Sequence, residues 1–327
     1  MINKETGIHT FSLNLKSSYS EIQNIITENE HFRTSNDPLY LENCYKIATY
    51  KGIGVEMLLH QSLTHSSWIT LIVNPSSLLA RQYCPTKLFQ PTKKEIKKLE
   101  KHLTDILFDI GVEKKLKAFK LSRVDLTENH YHKSKADVMK HLKIFKKSYI
   151  MPRYEVKPFR YGLENEESFR GANQHSWMIA CGSCEFSVYN KTYELKEHHK
   201  AQIKENILRL ELRLARKRIR QCTKSKHWEE QLLEISKKQD KLTNDFLHRL
   251  YQDCAHFVSL EEMIQRIDES SFREKTKKKM RRLAKKMDSC ESLTAARKKI
   301  KVKEKDFTVL LNKFRKLGIN PIPFSDK

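Results

Sequence analysis

An α+β fold is predicted for this chain: a central antiparallel sheet of about five strands with flanking helices, followed by a helical C-terminal region. Three observations predict it. Short runs with a period of two, the mark of strands with one buried face, recur through the first two thirds of the sequence. Between them lie turn signals and stretches whose apolar residues are spaced at three and four. From Leu214 onward the strand pattern stops and long, charged, helix-forming stretches take over. A chain of 327 residues is long enough for two domains. The change of composition places a boundary between 220 and 227, with 1–220 as the core domain and 221–327 as a basic helical accessory region.

Taken in order, Ile8 to Leu15 alternates Phe11, Leu13 and Leu15 with Ser12 and Asn14 and reads as a strand. The run SSYSEIQNII follows, where Ser18 or Ser20 is placed to cap an amphipathic helix. Gly54 to His60 and Trp68 to Val73 are two further strands, the second closed by the turn signal Asn74-Pro75-Ser76. Lys93 to Ile110 is a helix, because Ile96, Leu99, Leu103, Ile106 and Leu107 fall on one face. Three later strands are expected at Lys120 to Thr127, Glu185 to Tyr193 and Ile207 to Leu214. The tail closes with the periodic set Phe307, Leu310, Leu311, Phe314 and Leu317, then the breaker Gly318-Ile319-Asn320-Pro321.

With 63 Lys+Arg against 40 Asp+Glu, the formal net charge is +23. A field of that sign attracts polyanions, and nucleic acid is the partner that fits best, ahead of anionic lipid or a merely solvated basic surface. Residues 213–226 carry seven Lys/Arg and no acid, and residues 273–303 carry 14 Lys/Arg and three acids. Arg216 and Arg218 in the first run, and Lys278, Lys279, Arg281 and Arg282 in the second, are expected to lie along a phosphate backbone. No apolar stretch approaches the ~18 to 20 residues of a membrane helix, and the N-terminal residues lack a signal-peptide pattern, so a cytoplasmic protein is expected. Seven scattered cysteines suit reduced thiols. The one C-x-x-C, Cys181 to Cys184, encloses Gly182-Ser183 and reads as a turn between strands rather than half a zinc site.

The chemistry concentrates on the last three strands. Arg123, Asp125 and Thr127 share a face, as do Tyr189 and Lys191, while Arg209, Glu211 and Arg213 alternate with four leucines in ILRLELRL. In one antiparallel sheet, the leucine face packs on helices and the other face collects Asp, Glu, Arg, Lys and Tyr. Cutting a phosphodiester while retaining the cut end needs a nucleophile, a cation and donors that position the phosphate. Tyr189 is a phenol with Lys191 two residues away to favour loss of its proton. Asp125 and Glu211 are hard oxygen ligands for Mg²⁺ or Mn²⁺, with Glu56 and Glu194 as further ligands. His60, His65, His198 and His199 are candidates for a third ligand or a proton relay. Arg123, Arg209 and Arg213 can grip phosphate bidentately. Each residue also has a structural reading: tyrosine in a strand packs, and Arg/Glu alternation makes cross-strand ion pairs.

The ordered set LSRVDLT, FSVYNKTYEL and ILRLELRL resembles the core of replication initiation proteins of filamentous phages (the gene II type) and of related rolling-circle plasmids. There a strand S-R-[VI]-D is followed by Y-x-K-x-x-E-L and R-x-E-x-R, which fall here on Ser122 to Asp125, Tyr189 to Leu195 and Arg209 to Arg213. The closing LGINPIP is similar to the end of such initiators. The resemblance implies a fold related to the His-hydrophobic-His endonucleases, with 1–220 as the nicking domain and Tyr189 as the nucleophile. It also implies a metal-dependent, site-specific transesterification at an origin through a 5′-phosphotyrosyl link. Implied partners are origin DNA, single- and double-stranded, and a host helicase and polymerase; monomer and homodimer both stay open. His130-Tyr131-His132 matches the two-histidine motif literally, but a continued strand would put both histidines on the face opposite Asp125. Tyr193 shares the parity of Tyr189, as a second nucleophile or as packing. The alternative from another class is a non-catalytic DNA-binding initiator or repressor, which needs the basic helices but not Tyr189.

Overall fold

The computed structural model describes residues 3–30, 32–35, 46–62, 66–159, 171, 173–199, 203–251, 254 and 256–324. Its centre is one antiparallel sheet, and among the described residues that sheet has ten strands, twice the number expected. They are β1 (Asn3–Ser17), β2 (Arg33–Ser35), β3 (Lys46–Gly52), β4 (Val55–Gln61), β5 (Ser67–Val73), β6 (Lys120–His132), β7 (Glu155–Val156), β8 (Ser176–Cys181), β9 (Cys184–Asn190) and β10 (Asn206–Ala215). Their order across the sheet is β2-β3-β4-β5-β1-β6-β10-β9-β8-β7. The sequence pattern identifies strands with one clean apolar face. It misses β3, whose KIATYKG has no run of large apolar residues, and the edge strands β2 and β7, of three and two residues.

Two turns follow from local chemistry. Cys181 pairs with Cys184 across Gly182-Ser183, so the C-x-x-C closes the β8–β9 hairpin as expected. Asn74 accepts from Ser77 N at 3.1 Å and caps the short helix α2 (Pro75–Ala80) with proline in its first turn. Helix α1 (Tyr19–Thr27) starts on Ser18, not Ser20, through a capping box with Glu21. Helix α3 (Lys93–Asp109) starts on Thr92 in the same way.

One face of the sheet is apolar. Phe11, Val124, Leu126, Phe186, Val188 and the leucines of β10 are buried there against helices. The helices are α4 (Lys135–Lys147) and, after α5 (Lys191–His199) and α6 (Arg216–Cys222), the pair α7 (Trp228–Lys237) and α8 (Gln239–Leu250). Trp228 stacks on Phe11 at 5.9 Å between ring centroids, and Phe246 meets Phe186 at 4.7 Å. The helices from 228 to 250 therefore share the core of the sheet. A second, separate core begins at Val258 and runs to Ile322 through α9 (Leu260–Glu269), α10 (Glu274–Ser289), α11 (Leu293–Lys299) and α12 (Glu304–Lys316). The division between cores thus falls near 251–258, about thirty residues after the composition change. That change marks the end of the last strand, and two amphipathic helices after it still have to cover the leucines of β10. Asn320, in the closing breaker, ties back to this junction by donating to the carbonyls of Tyr251 and Cys254 at 3.2 and 2.6 Å.

Trp228→Ala is expected to destabilise the sheet core by about 3–5 kcal/mol, the cost of deleting a large buried aromatic. A urea midpoint that moves by the equivalent of less than about 1 kcal/mol would show that α7 is not part of that core.

Candidate active site

The polar face of the sheet is assembled by register. On β10, Arg209 sits opposite Tyr189 of β9 and Asn129 of β6; Glu211 sits opposite Ser187 and Thr127; Arg213 sits opposite Glu185 and Asp125. Because side chains alternate, these three rows face one side together. Strand β1 adds a fourth column with an irregularity. Its pairing with β6 slips between Ile8 and Thr10, so His9 is an extra residue and both His9 and Thr10 come opposite the Asp125 end of the site. The slip is legible in the sequence: Ile8 is three residues from Phe11 and out of phase with Phe11, Leu13 and Leu15. For all four to reach the same core, one residue must bulge, and sequence reasoning missed His9 for want of that step.

Tyr189 and Glu211 are both buried, and the tyrosine hydroxyl donates to Glu211 Oε1 at 2.8 Å. His9 Nδ1 lies 3.4 Å from the same oxygen. Arg209 is fully buried beside them. Its Nε donates to Asn129 Oδ1 at 2.8 Å, and its Nη2 to the carbonyls of Pro85 and Thr86 at 2.9 and 3.3 Å. Its Nη1 has no hydrogen-bond partner among the described residues and stands 3.8 Å from Glu211 Oε1. The loop carrying Pro85 and Thr86 reaches over the sheet because Gly7 leaves room: a Cβ there would stand 2.8 Å from Leu88 Cβ and 2.9 Å from Phe89 O. Phe159 covers the Tyr189 ring at 5.4 Å between centroids.

These contacts set the proton affinities. Burial raises Glu211 above the usual carboxylate range, and the charge of Asp125 adds to it against the pull of Arg209. Burial and then Glu211 push the Tyr189 phenol well up. Burial, with the charges of Arg209 and Lys191, holds His9 well below its ordinary value, so its imidazole is neutral. Burial alone would raise Asp125 too, but Arg213 and Arg123 outweigh it and hold that carboxylate below its ordinary value. The site thus holds a buried phenol hydrogen-bonded to a buried carboxyl of raised proton affinity, beside a buried guanidinium; these are the group types that nucleophilic attack, proton transfer and charge stabilisation draw on.

Several of the expected site residues are placed otherwise than strand alternation implies or are engaged with other side chains. Asp125 is not placed as a free metal ligand: Arg123 Nε and Arg213 Nε donate to its Oδ1 at 2.8 and 3.1 Å, and Arg123 Nη2 pairs with its Oδ2. Arg213 is also held by Glu185 at 2.6 Å. Glu56 lies on β4, separated from β10 by β5, β1 and β6, and meets Lys51 at 3.6 Å. Lys191 does not continue β9. The strand ends at Asn190, whose side chain accepts from Tyr193 N at 3.0 Å, and the helix α5 that follows turns Lys191 onto Glu194 at 2.6 Å. Lys191 nonetheless stays buried and near Arg209; burial and that charge lower its proton affinity. Tyr193, carried off by the same helix, stacks on His175 at 3.7 Å. The expected carboxylates therefore do not converge as a cage, and no group of three or more His, Cys, Asp or Glu among the described residues could hold a metal ion. They do not fit Mg²⁺ or Mn²⁺ as a set. His65 lies outside the described residues, as do the side chains of His198 and His199.

No family model matches this chain, and no curated protein matches it. Among solved structures, it bears a weak structural resemblance to a rolling-circle replication initiator protein from Geobacillus stearothermophilus. The TM-score is 0.34 and the identity 13%, over 76% of this chain and 86% of that one.

His130 and His132 extend β6 on the side opposite Asp125, as the alternation required. There they line a cavity of about 470 Å³ with His141, Leu208, Leu210 and Phe145, away from Tyr189. Of the basic residues expected on DNA, Arg218 donates to Gln221 on its own helix at 3.3 Å, and Arg216 is half-buried at the start of that helix. Lys278, Lys279 and Arg282 are exposed on α10, whereas Arg281 is turned back onto Asp268 and Glu274. Among the described residues, no helix is long and apolar enough to cross a membrane.

The opposite shifts of the two carboxyls give opposite expectations for stability. A depressed carboxylate stabilises the fold at pH above its unfolded value, and that contribution is lost as pH falls through the folded value. Asp125→Asn should therefore cost about 3 kcal/mol at pH 7, the scale for breaking a buried ion pair. A carboxyl whose folded value is raised carries a penalty once it ionises, so Glu211→Gln should leave the protein at least as stable as wild type at pH 7 to 8. Thermal melts of the two variants check this, and a Glu211→Gln loss equal to that of Asp125→Asn would contradict it.

Proposed function

We propose that the protein is a DNA nicking enzyme of rolling-circle replication, acting on one strand at an origin through Tyr189. The observation that carries the reading is the 2.8 Å hydrogen bond from the buried Tyr189 hydroxyl to Glu211, with Arg209 Nη1 3.8 Å from the same carboxyl oxygen and making no hydrogen bond among the described residues. A phenol in a purely packing role has no need of a carboxyl of raised basicity and a guanidinium group with a donor to spare. The basic surface and the ordered motifs around Asp125, Tyr189 and Glu211 support DNA as the substrate.

In this mechanism Glu211 takes the Tyr189 proton as the phenol oxygen attacks the scissile phosphorus. The Tyr189 O–P bond forms, the bond from phosphorus to the 3′-oxygen breaks, and the departing oxygen takes a proton from solvent. The products are a 5′-phosphotyrosyl link and a 3′-hydroxyl for a polymerase to extend. Arg209, held by Asn129 and by the 85–86 carbonyls, offers its remaining donor to the charge that develops on the phosphoryl oxygens. His9 Nδ1 stands 3.4 Å from the carboxyl oxygen that receives the proton. Phe159 has to move off Tyr189 for a phosphate to reach it. Since the expected carboxylates do not converge, no step is assigned to a divalent cation.

The test uses a 3′-fluorescein-labelled pool of random single-stranded 40-mers, in buffer holding both Mg²⁺ and Mn²⁺. Wild type should cut and retain label on the protein, and Tyr189→Phe should do neither. Glu211→Gln should cut about 10²- to 10⁴-fold more slowly, the usual contribution of a general base. The wild-type rate should fall as pH drops and Glu211 becomes protonated. Cutting by Tyr189→Phe at the wild-type rate would sink the proposal; binding without cutting by the wild type would favour the non-catalytic initiator.

A further inference from the structure

The second core, from Val258 to Ile322, has no part in the site at Tyr189 and has a geometry of its own. Helices α10, α11 and α12 share it through Leu283, Met287, Ala296, Ile300, Phe307 and Phe314, all buried. The seven-residue α11 and the thirteen-residue α12 are joined by four residues, Ile300 to Lys303. In that turn Lys301 takes a left-handed conformation at φ 55°. Ile300 on one side of it is buried and Val302 on the other packs against the same core, so the turn is fixed from both sides. A short helix, a tight turn with one left-handed residue and a longer helix, packed on a third, is the arrangement in which the last helix is presented outward.

What α12 presents is specific. Phe307, Leu310, Leu311 and Phe314 form its buried face. At 100° per residue the opposite face is centred on Lys305, Val309, Asn312 and Lys316, all exposed, with Val309 53% exposed. This is a basic residue at each end with an apolar and an amide side chain between them, on a helix with nothing packed over that side among the described residues. Of the two acids in its first turn, Glu304 is held by Arg297 at 3.3 Å. Charge says what fits: residues 273–303 carry 14 Lys/Arg against three acids, and Lys298, Lys299, Lys301 and Lys303 are exposed along the end of α11 and the turn.

We propose that α10, α11 and α12 form a helix-turn-helix unit that reads duplex DNA, with α12 in the major groove. Val309 contacts a thymine methyl group and Asn312 reads an adenine edge. The exposed lysines around the turn and Lys278, Lys279 and Arg282 on α10 hold the phosphates. The inference deepens the reading of the protein as one that acts on DNA at an origin, by naming the element that selects the duplex, and it does not depend on Tyr189.

The experiment is a selection from a pool of 24-base-pair duplexes with random centres, using the full chain carrying Tyr189→Phe so that binding is read without cutting. A preferred duplex should emerge. Adding Val309→Ala and Asn312→Ala, both surface changes, should weaken binding to it roughly 5- to 150-fold while binding to a scrambled duplex is unchanged. Lys278→Ala with Lys279→Ala and Arg282→Ala should instead weaken both alike and flatten the salt dependence. The inference is overturned if no duplex is enriched, or if the Val309/Asn312 variant keeps its preference. A chain that selects a duplex but cuts no DNA upholds this inference and removes the nicking proposal; one that cuts but selects no duplex does the reverse.

Discussion

Three charged residues at alternate positions of one central strand, Arg209, Glu211 and Arg213, dictate how the neighbouring strands and the loop at 85–86 are arranged. Strand β10 lies between β6 and β9 in the middle of the sheet, and on its polar face Arg209, met by the carbonyls of Pro85 and Thr86, is fully buried. Charges removed from water in this way are tolerated only if other charges and hydrogen bonds meet them. The sheet supplies these from both neighbours and from a loop: Asp125 and Glu185 for Arg213, Asn129 and the 85–86 carbonyls for Arg209. The compensation is uneven. Asp125 is met by two guanidinium groups, while Glu211 has a phenol, a neutral imidazole and an arginine that spends most of its donors elsewhere.

That imbalance separates structure from chemistry on a single face. Asp125 is a fixed anion that holds Arg123 and Arg213, and its depressed proton affinity is the signature of a satisfied structural ion pair. Glu211, two residues along β10 from Arg213, has its affinity raised by burial and by Asp125 itself. The two carboxyls thus have environments that push their proton affinities in opposite directions, the difference on which the proposed assignment of Glu211 as the proton acceptor rests. The bulge at His9 belongs to the same economy: it adds an imidazole against Glu211 without disturbing Phe11 on the apolar side.

Much of this was legible in the sequence, and the failures have identifiable causes. Alternation over ILRLELRL and LSRVDLT fixed which residues share a face, and the register then brought together Asp125, Tyr189, Arg209, Glu211 and Arg213. Alternation does not say where a strand ends. YNKTYEL continues the period of two through Tyr193, yet Asn190 caps a helix there, so Lys191 and Tyr193 left the expected face. Nor does it say which partner a charge will take, and Asp125 read as a metal ligand because the two arginines able to claim it were assigned to phosphate. The strands without large apolar residues, and the helices from 228 to 250 that cover the leucines of β10, lie beyond what composition can place. In the C-terminal region the density of positive charge singles out α10, while the outward face of α12, with two lysines, a valine and an asparagine, shows only in the geometry.

Nicking through Tyr189 requires that the buried phenol at the middle of this face become covalently joined to DNA. Its most direct test is to digest the protein with trypsin after reaction with the single-stranded pool and to locate the nucleotide-bearing peptide by mass spectrometry. The expected result is a 5′-phosphoryl group on Tyr189 itself. A nucleotide on Tyr193, Tyr131 or any other side chain, or DNA cut with no adduct at all, would contradict it.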